Sequence, residues 1–269
     1  MKVLTQICKV AAVSSLIAFS ALHAEVDSVE SSPESSTSAE STKSQESKGF
    51  CAGAHSNTGC FVGVSVGLSP ATSRLDFTTP EAVIIKEQPK KESFSFPIAF
   101  DLGYQWYFAQ NAGFRFKGYI GYENYSAKDM RATAANNQPN MDFDLSSHAL
   151  QYGLEARYLY DFVYGGEHTF GANIGVGFEG SSFFNAIMIP GSPDVPASTH
   201  NFKSYTRATW TSGVGLHYFY KAHHQILLSY LYRGYTDELK SSALINGKLN
   251  ARVSAFANHT IQLSYAYKF

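Results

Sequence analysis

From Phe61 to Phe269 apolar side chains recur at every second position, and every charge inside those runs falls on the other parity. A period of two is the pleat of a β-strand, with successive side chains on opposite faces. The runs are roughly ten residues long, the length of a strand that crosses a bilayer. Val62, Val64, Val66 and Leu68 form the first. Phe94, Phe96, Ile98, Phe100, Leu102, Tyr104 and Trp106 form the second, Phe114, Phe116, Ile120 and Tyr122 the third, and Leu150, Tyr152, Leu154, Ala156, Tyr158 and Tyr160 the fourth. The second half repeats the scheme with Phe170–Phe178, Ala208–Tyr218, Ile226–Tyr232 and Ile261–Phe269, where Leu227 and Leu231 blur the seventh run. The expectation is an all-β chain: an eight-stranded antiparallel transmembrane up-and-down β-barrel over 61–269.

Three features separate a membrane barrel from a soluble one. The apolar face ends in rings: Tyr104 and Trp106, Phe114 and Phe116, Tyr158 and Tyr160, Tyr218 and Tyr220, and Tyr265 and Tyr267 lie beside the short connections or the C-terminus. Aromatic rings concentrate where lipid meets water. The charges avoid the apolar face, as they must when Arg or Lys at a bilayer midplane costs about 2–4 kcal/mol. Connections alternate in length: those near 109–113, 163–167 and 221–224 are short, while 69–92, 126–147, 184–203 and 236–252 read as long loops. Of nine prolines, Pro97 alone falls in a strand run, because strand interiors cannot spare the N–H donor. A lipocalin-type barrel shares the strand number but buries its apolar face.

Composition removes other classes. Charged residues make up 16% of the 269 and aromatics 14%, against about a quarter charged in a soluble domain. A formal charge of −1 offers no basic excess for a phosphate backbone, so nucleic acid is not expected as a partner. Beyond the N-terminus no stretch approaches the ~18 apolar residues of a membrane helix.

The first 60 residues divide into three. Residues 1–24 read as a signal peptide: Lys2 and Lys9, an apolar centre from Val10 to Phe19, and a small-residue end at Ala24. Residues 25–48 are Ser- and Glu-rich with almost no large apolar side chain, and read as a disordered periplasmic spacer. In 49–60, Cys51 and Cys60 are the only cysteines of the exported chain. An oxidising compartment favours a disulfide between them. Two cysteines with His55 fall short of a zinc site.

The signal, the even strand count and the ending Gln262-Leu263-Ser264-Tyr265-Ala266-Tyr267-Lys268-Phe269 resemble the small Gram-negative outer-membrane barrels of the OmpA, OmpX and Opa type. That resemblance implies a bacterial outer-membrane location, with the N-terminus periplasmic and the long loops at the cell surface. It implies lipid and lipopolysaccharide as surroundings, and a barrel assembly machinery that reads Tyr265, Tyr267 and Phe269. The Tyr-rich strands and the N-terminal cysteine pair are also similar to the outer-membrane protein families of Helicobacter and its relatives.

Function is less constrained. Ten charges fall on the inward parity: Asp101, Arg115, Lys117, Glu123, Glu155, Arg157, Asp161, Glu179, Arg207 and Arg233. Mixed signs inside a narrow barrel read as a salt-bridged plug; the alternative is a narrow ion or solute pore. A lipid-modifying enzyme would need a base and a nucleophile on one strand face, as in the His-x-Ser of lipid-A deacylases, and no His-x-Ser occurs here. His148 and His259 fall on the lipid parity, His217 faces inward, and His223-His224 occupy a short turn. No catalytic residue, cofactor or metal is implied. The four long loops are the candidate contact with a host or surface ligand. Apolar runs at 82–85 and 186–189 are the candidate contact patches, so an adhesin-like or structural role leads.

Overall fold

The computed structural model describes residues 51, 57–78, 85–87, 89–134, 141–191, 200–235, 241–245 and 249–269. Residues 1–24, read as a signal peptide, residues 25–48, read as a spacer, His55 and the apolar residues Ala82, Val83 and Ile84 lie outside them.

The described residues form thirteen strands: β1 (Gly59–Thr78), β2 (Ile85–Glu87), β3 (Lys90–Ser95), β4 (Ile98–Ala109), β5 (Ala112–Ala134), β6 (Met141–Val163), β7 (His168–Pro190), β8 (His200–Asn201), β9 (Tyr205–Tyr220), β10 (His224–Arg233), β11 (Ser241–Ile245), β12 (Leu249–Phe256) and β13 (His259–Lys268). Eight of them close a ring. Each pairs antiparallel with the next in the order β1, β4, β5, β6, β7, β9, β10, β13, and β13 pairs back onto β1 with Phe61 opposite Lys268 and Leu68 opposite Ile261. Closure leaves those strands no free edge.

Connections at one end of the ring are tight, as the sequence implies: Gln110 and Asn111 join β4 to β5, and a turn through Lys221 and Ala222 joins β9 to β10. Both turn residues have positive φ, 51° and 58°, and the His223 N–H donates to the Tyr220 carbonyl at 3.2 Å. That is the mirror-image turn whose twist matches a hairpin. We refer to this as the turn end.

The opposite end corrects the loop boundaries. Much of 69–92, 126–147, 184–203 and 236–252 is strand, not loop. β1 runs on to Thr78, and β5, β6 and β7 are each 23 residues long, about twice what a bilayer requires. β2, β3, β8, β11 and β12 add to these extensions.

The extensions escape a fixed-phase reading because their phase is reversed. On β1, Val62, Val64, Val66 and Leu68 face out, and beyond Ser69 the outward positions become Thr72, Arg74 and Asp76 while Ala71, Leu75 and Phe77 turn in. On β6 the outward Leu150 gives way to His148, Ser146 and Asp144, with Leu145 and Phe143 buried. β5 and β7 shift register in this region, at residues with positive φ: Asp129 (53°) and Asn185 (50°). Asp and Asn tolerate that conformation better than most residues. The Asp129 N–H donates to Asp144 Oδ1 at 2.8 Å.

The run 186–189 is therefore split by the pleat of β7. Ala186 and Met188 are buried, whereas Ile187 is half-buried and Ile189 faces out. Proline placement also differs from expectation. Pro70 lies within β1, where residues 69–71 fall in the gap between the β12 and β13 registers, so no ladder on that side needs its missing donor. Pro97 sits at the break between β3 and β4.

Inside the extensions the inward residues form an apolar cluster, with Leu75, Phe77 and Val253 on one lip and Met130, Phe143, Leu145, Met188 and Phe202 on the other. Phe77 and Phe143 meet edge to face at 5.9 Å. Leu75→Ala should cost about 2–4 kcal/mol of local stability. Limited proteolysis should show faster cleavage in the extensions, with the ring strands still protected.

Candidate functional site

The ring interior below the apolar cluster holds the charges read from the sequence, and all ten are buried. The pleat delivers them there, since each sits on the inward parity of its strand. They sort into levels along the axis.

Nearest the turn end, Asp161 accepts from the Tyr107 hydroxyl at 3.0 Å, and its Oδ1 lies 2.7 Å from His217 Nε2. His217 stacks on Phe219 at 4.8 Å. The His217 ring is buried and hydrogen-bonded on the inward side, the side its parity implies.

The middle level joins four of the ten. Lys117 Nζ lies 3.9 Å from Asp101 and 3.7 Å from Glu155, and Arg157 donates to Glu155. Arg157 also donates to Asn173 Oδ1 at 2.6 Å and Ser229 Oγ at 3.0 Å. Ser65 donates to Asp101. Arg115 stands directly opposite Arg157 in the β5–β6 register, an unfavourable like-charge pairing. It turns instead toward Gln105 and Gln225, with its guanidinium 3.5 Å from the Phe61 ring centre.

Higher up, Glu179 accepts from Arg233 at 3.1 Å, Tyr119 at 2.8 Å and Tyr235 at 2.6 Å. Glu123 accepts from Ser95 at 2.5 Å, Tyr125 at 2.8 Å and Gln151. Arg233 also reaches Thr260 Oγ1 at 2.5 Å. Arg207 lies over the rings of Tyr235 and Phe256. The ten are thus distributed over several networks, not gathered into one centre.

The space left between them is small. The cavity among Asp101, Arg115, Glu155, Arg157 and Ser229 measures about 10 Å³, close to the smallest that admits one water. Low dielectric strengthens each pair and makes each orphaned charge costly. Chemically this interior holds charge in place.

Several partners were not singled out from the sequence. Tyr107, Tyr119, Tyr125 and Tyr235 donate their hydroxyls to the buried carboxylates, Gln151 donates to Glu123, and Gln105 and Gln225 accept from Arg115. Tyr119 and Tyr125 fall on the inward parity of β5 among outward-facing rings. That phase was the available signal.

The outer face carries its own pattern. At the turn end, Trp106, Phe108, Phe114 and Tyr158 form one continuous aromatic patch. His168 lies 2.7 Å from the Tyr218 hydroxyl and His224 lies 2.8 Å from that of Tyr265. At the level where the phase reverses, His148 and His259 are each 2.5 Å from a tyrosine hydroxyl, Tyr122 and Tyr230. Tyr265, Tyr267 and Phe269 project outward at the end of β13. On the extension surface the hydrogen bond from Arg131, 2.9 Å, holds the Asp142 carboxyl below the usual carboxylate range.

Cys51 and Cys60 form a disulfide. Among the described residues no group of three or more His, Cys, Asp or Glu is arranged to hold a metal ion.

The family model described as Helicobacter outer membrane protein matches residues 99–269. The chain belongs to that family, whose members are outer-membrane β-barrels. No curated protein matches it. Among solved structures, the outer membrane protein OprG from Pseudomonas aeruginosa is 13% identical, with 78% of this chain and 95% of that one covered at a TM-score of 0.47. Ail, the attachment invasion locus protein of Yersinia pestis, is 16% identical, with 78% and 98% covered at 0.29. The outer membrane protease OmpT from Escherichia coli is 8% identical, with 80% and 97% covered at 0.44.

Arg233→Met would leave Glu179 buried without its cation and should cost about 3–5 kcal/mol. The double variant Arg233→Met, Glu179→Gln should recover most of that loss. The urea midpoint for conversion of the folded to the unfolded gel band measures both.

Proposed function

We propose that this member of the Helicobacter outer membrane protein family is an eight-stranded transmembrane barrel whose role lies outside the membrane, in surface contact rather than in conduction or catalysis. In this reading the turn end and the N-terminus are periplasmic. The extended strands project beyond the outer leaflet, and lipid and lipopolysaccharide surround the apolar belt. The assembly machinery reads Tyr265, Tyr267 and Phe269 before the last strand is sealed.

One observation carries this reading: the extensions have an apolar interior of their own. A strand that only crosses lipid has no use for about ten further residues, some 30 Å of backbone, packed around Leu75, Phe143, Leu145 and Met188. Such packing keeps a sheet ordered in water, where loops without a core would fluctuate. The ends of β5, β6 and β7 that lead into 135–140 and 192–199 are then held in place, which lowers the entropy lost when a ligand is met there. The same apolar cluster lies over a lumen in which Lys117, Arg157 and Arg233 are ion-paired with Asp101, Glu155 and Glu179. Both features disfavour a continuous water path.

The test uses bacteria displaying the full chain and a variant in which 135–140 and 192–199 are replaced by short Gly-Ser connections. Adherence to host cells should fall at least tenfold while boiling-dependent gel mobility is retained. Purified protein should give no steady conductance in planar bilayers. Equal adherence by the variant would contradict the surface role. Stable channels whose selectivity changes with Arg157→Gln would replace it with a pore, and release of fatty acid from lipid A would replace it with catalysis.

A further inference from the structure

The ring closes on its first strand, since β1 pairs with β4 over 59–66 and with the last strand, β13, over 61–68. Just before β1 the chain turns back on itself through the disulfide between Cys51 and Cys60, whose Cα atoms are 4.9 Å apart. The residues leading out of that turn touch both neighbours of β1. On the β4 side, Gln105 Nε2 donates to the Asn57 carbonyl at 2.9 Å, and the Tyr107 N–H donates to Thr58 Oγ1 at 3.0 Å. On the β13 side, Lys268 Nζ donates to the Thr58 carbonyl at 3.4 Å and the Phe269 N–H to the Cys60 carbonyl at 2.9 Å.

The fit is close. A Cβ on Gly59 would stand 2.8 Å from the carbonyl oxygens of both Cys51 and Phe269, so residue 51 is pressed against the point where the first and last strands of the ring meet. Asn57 and Thr58 are buried at this mouth of the ring, while both cysteines remain partly exposed. Four hydrogen bonds thus span three strands, and every one of them involves residues 57–60, whose path the disulfide fixes.

We propose that the Cys51–Cys60 disulfide is a redox clasp on the closure seam. Oxidised, it holds residues 57–59 across β1 and keeps the first and last strands sealed at the turn end. Reduced, it frees those residues to leave, and the seam depends on the β1–β13 ladder alone. Forming the bridge joins the two Sγ atoms and releases two electrons and two protons. A protein disulfide of the periplasmic exchange type accepts them and becomes a dithiol; dithiothreitol runs the same exchange in reverse. The constraint acts mainly by limiting the opened state. The proposal requires only the strand ring and is independent of the surface role.

The experiment measures the temperature at which the assembled full-length protein, in detergent, converts from the folded to the unfolded gel band. Dithiothreitol should lower it by about 5–10 °C. The double variant Cys51→Ser, Cys60→Ser should start at the lowered temperature and ignore the reductant. Thr58→Val, with the bridge intact, should move it part of the way, because it removes the acceptor for the Tyr107 N–H. If the double variant fails to assemble, reduction of assembled wild-type protein still reads the clasp. An unchanged conversion temperature on reduction, or a Thr58→Val protein identical to wild type, would overturn the proposal.

Discussion

A charge that faces hydrocarbon is costly, and a charge that faces a narrow protein interior is tolerated only with a partner. The ring strands satisfy both conditions at once through the pleat. Each strand puts Val, Leu, Ile and aromatic side chains on the lipid parity and its ionised groups on the other. Closure then brings inward residues from non-adjacent strands together. Arg233 on β10 meets Glu179 on β7, and His217 on β9 meets Asp161 on β6. Because these contacts cross the lumen, the charge network also braces the ring from within. A single neutral substitution strands a partner that the strand register cannot move away.

Where water replaces lipid, the same pleat serves the opposite purpose. Beyond the level of Ser69 on β1 and His148 on β6, the outward positions become polar and the inward ones apolar. The hydrophobic effect now favours burying the interior of the extension, and the result is a small conventional core set directly on a polar lumen. One continuous strand thus belongs to two solvents in succession. The exchange needs only a change in which parity is apolar, aided on β5 and β7 by the positive-φ residues Asp129 and Asn185. The histidines paired with tyrosine hydroxyls, His148 with Tyr122 and His259 with Tyr230, mark this boundary on the outer surface. Amphipathic rings of that kind suit an interface.

The ring itself was legible in the sequence. Its eight alternating runs and tight turns follow from counting parity, the ten charges read on the inward parity are buried, and the Cys51–Cys60 bridge matches the expectation of an oxidising compartment. The extensions were not legible to a reading of fixed phase. Phe143, Leu145, Leu75 and Phe77 sit on the parity that carries charge within the membrane runs, so each run ended where its phase reversed, and strand was taken for loop. The pairing of charges was also hidden, because it depends on long-range register. Lys117 faces Glu155 across β5 and β6, a fact no local pattern contains. The tyrosines that serve the carboxylates are concealed for another reason: in a chain with 17 tyrosines, most of those on strands face out, Tyr107, Tyr119 and Tyr125 differ from them only in side, and Tyr235 follows the end of β10.

The central claim is that the outer face of β1 passes from lipid to water at a defined residue. Single cysteines at outward β1 positions, Val64→Cys, Leu68→Cys, Thr72→Cys and Asp76→Cys, can be spin-labelled on protein in lipid vesicles. The accessibility of each label to oxygen and to a water-soluble nickel complex reports its depth. Labels at 64 and 68 should favour oxygen, those at 72 and 76 the nickel complex, with the crossover beside Pro70. A uniform oxygen preference along all four positions, or nickel access already at 64, would contradict it.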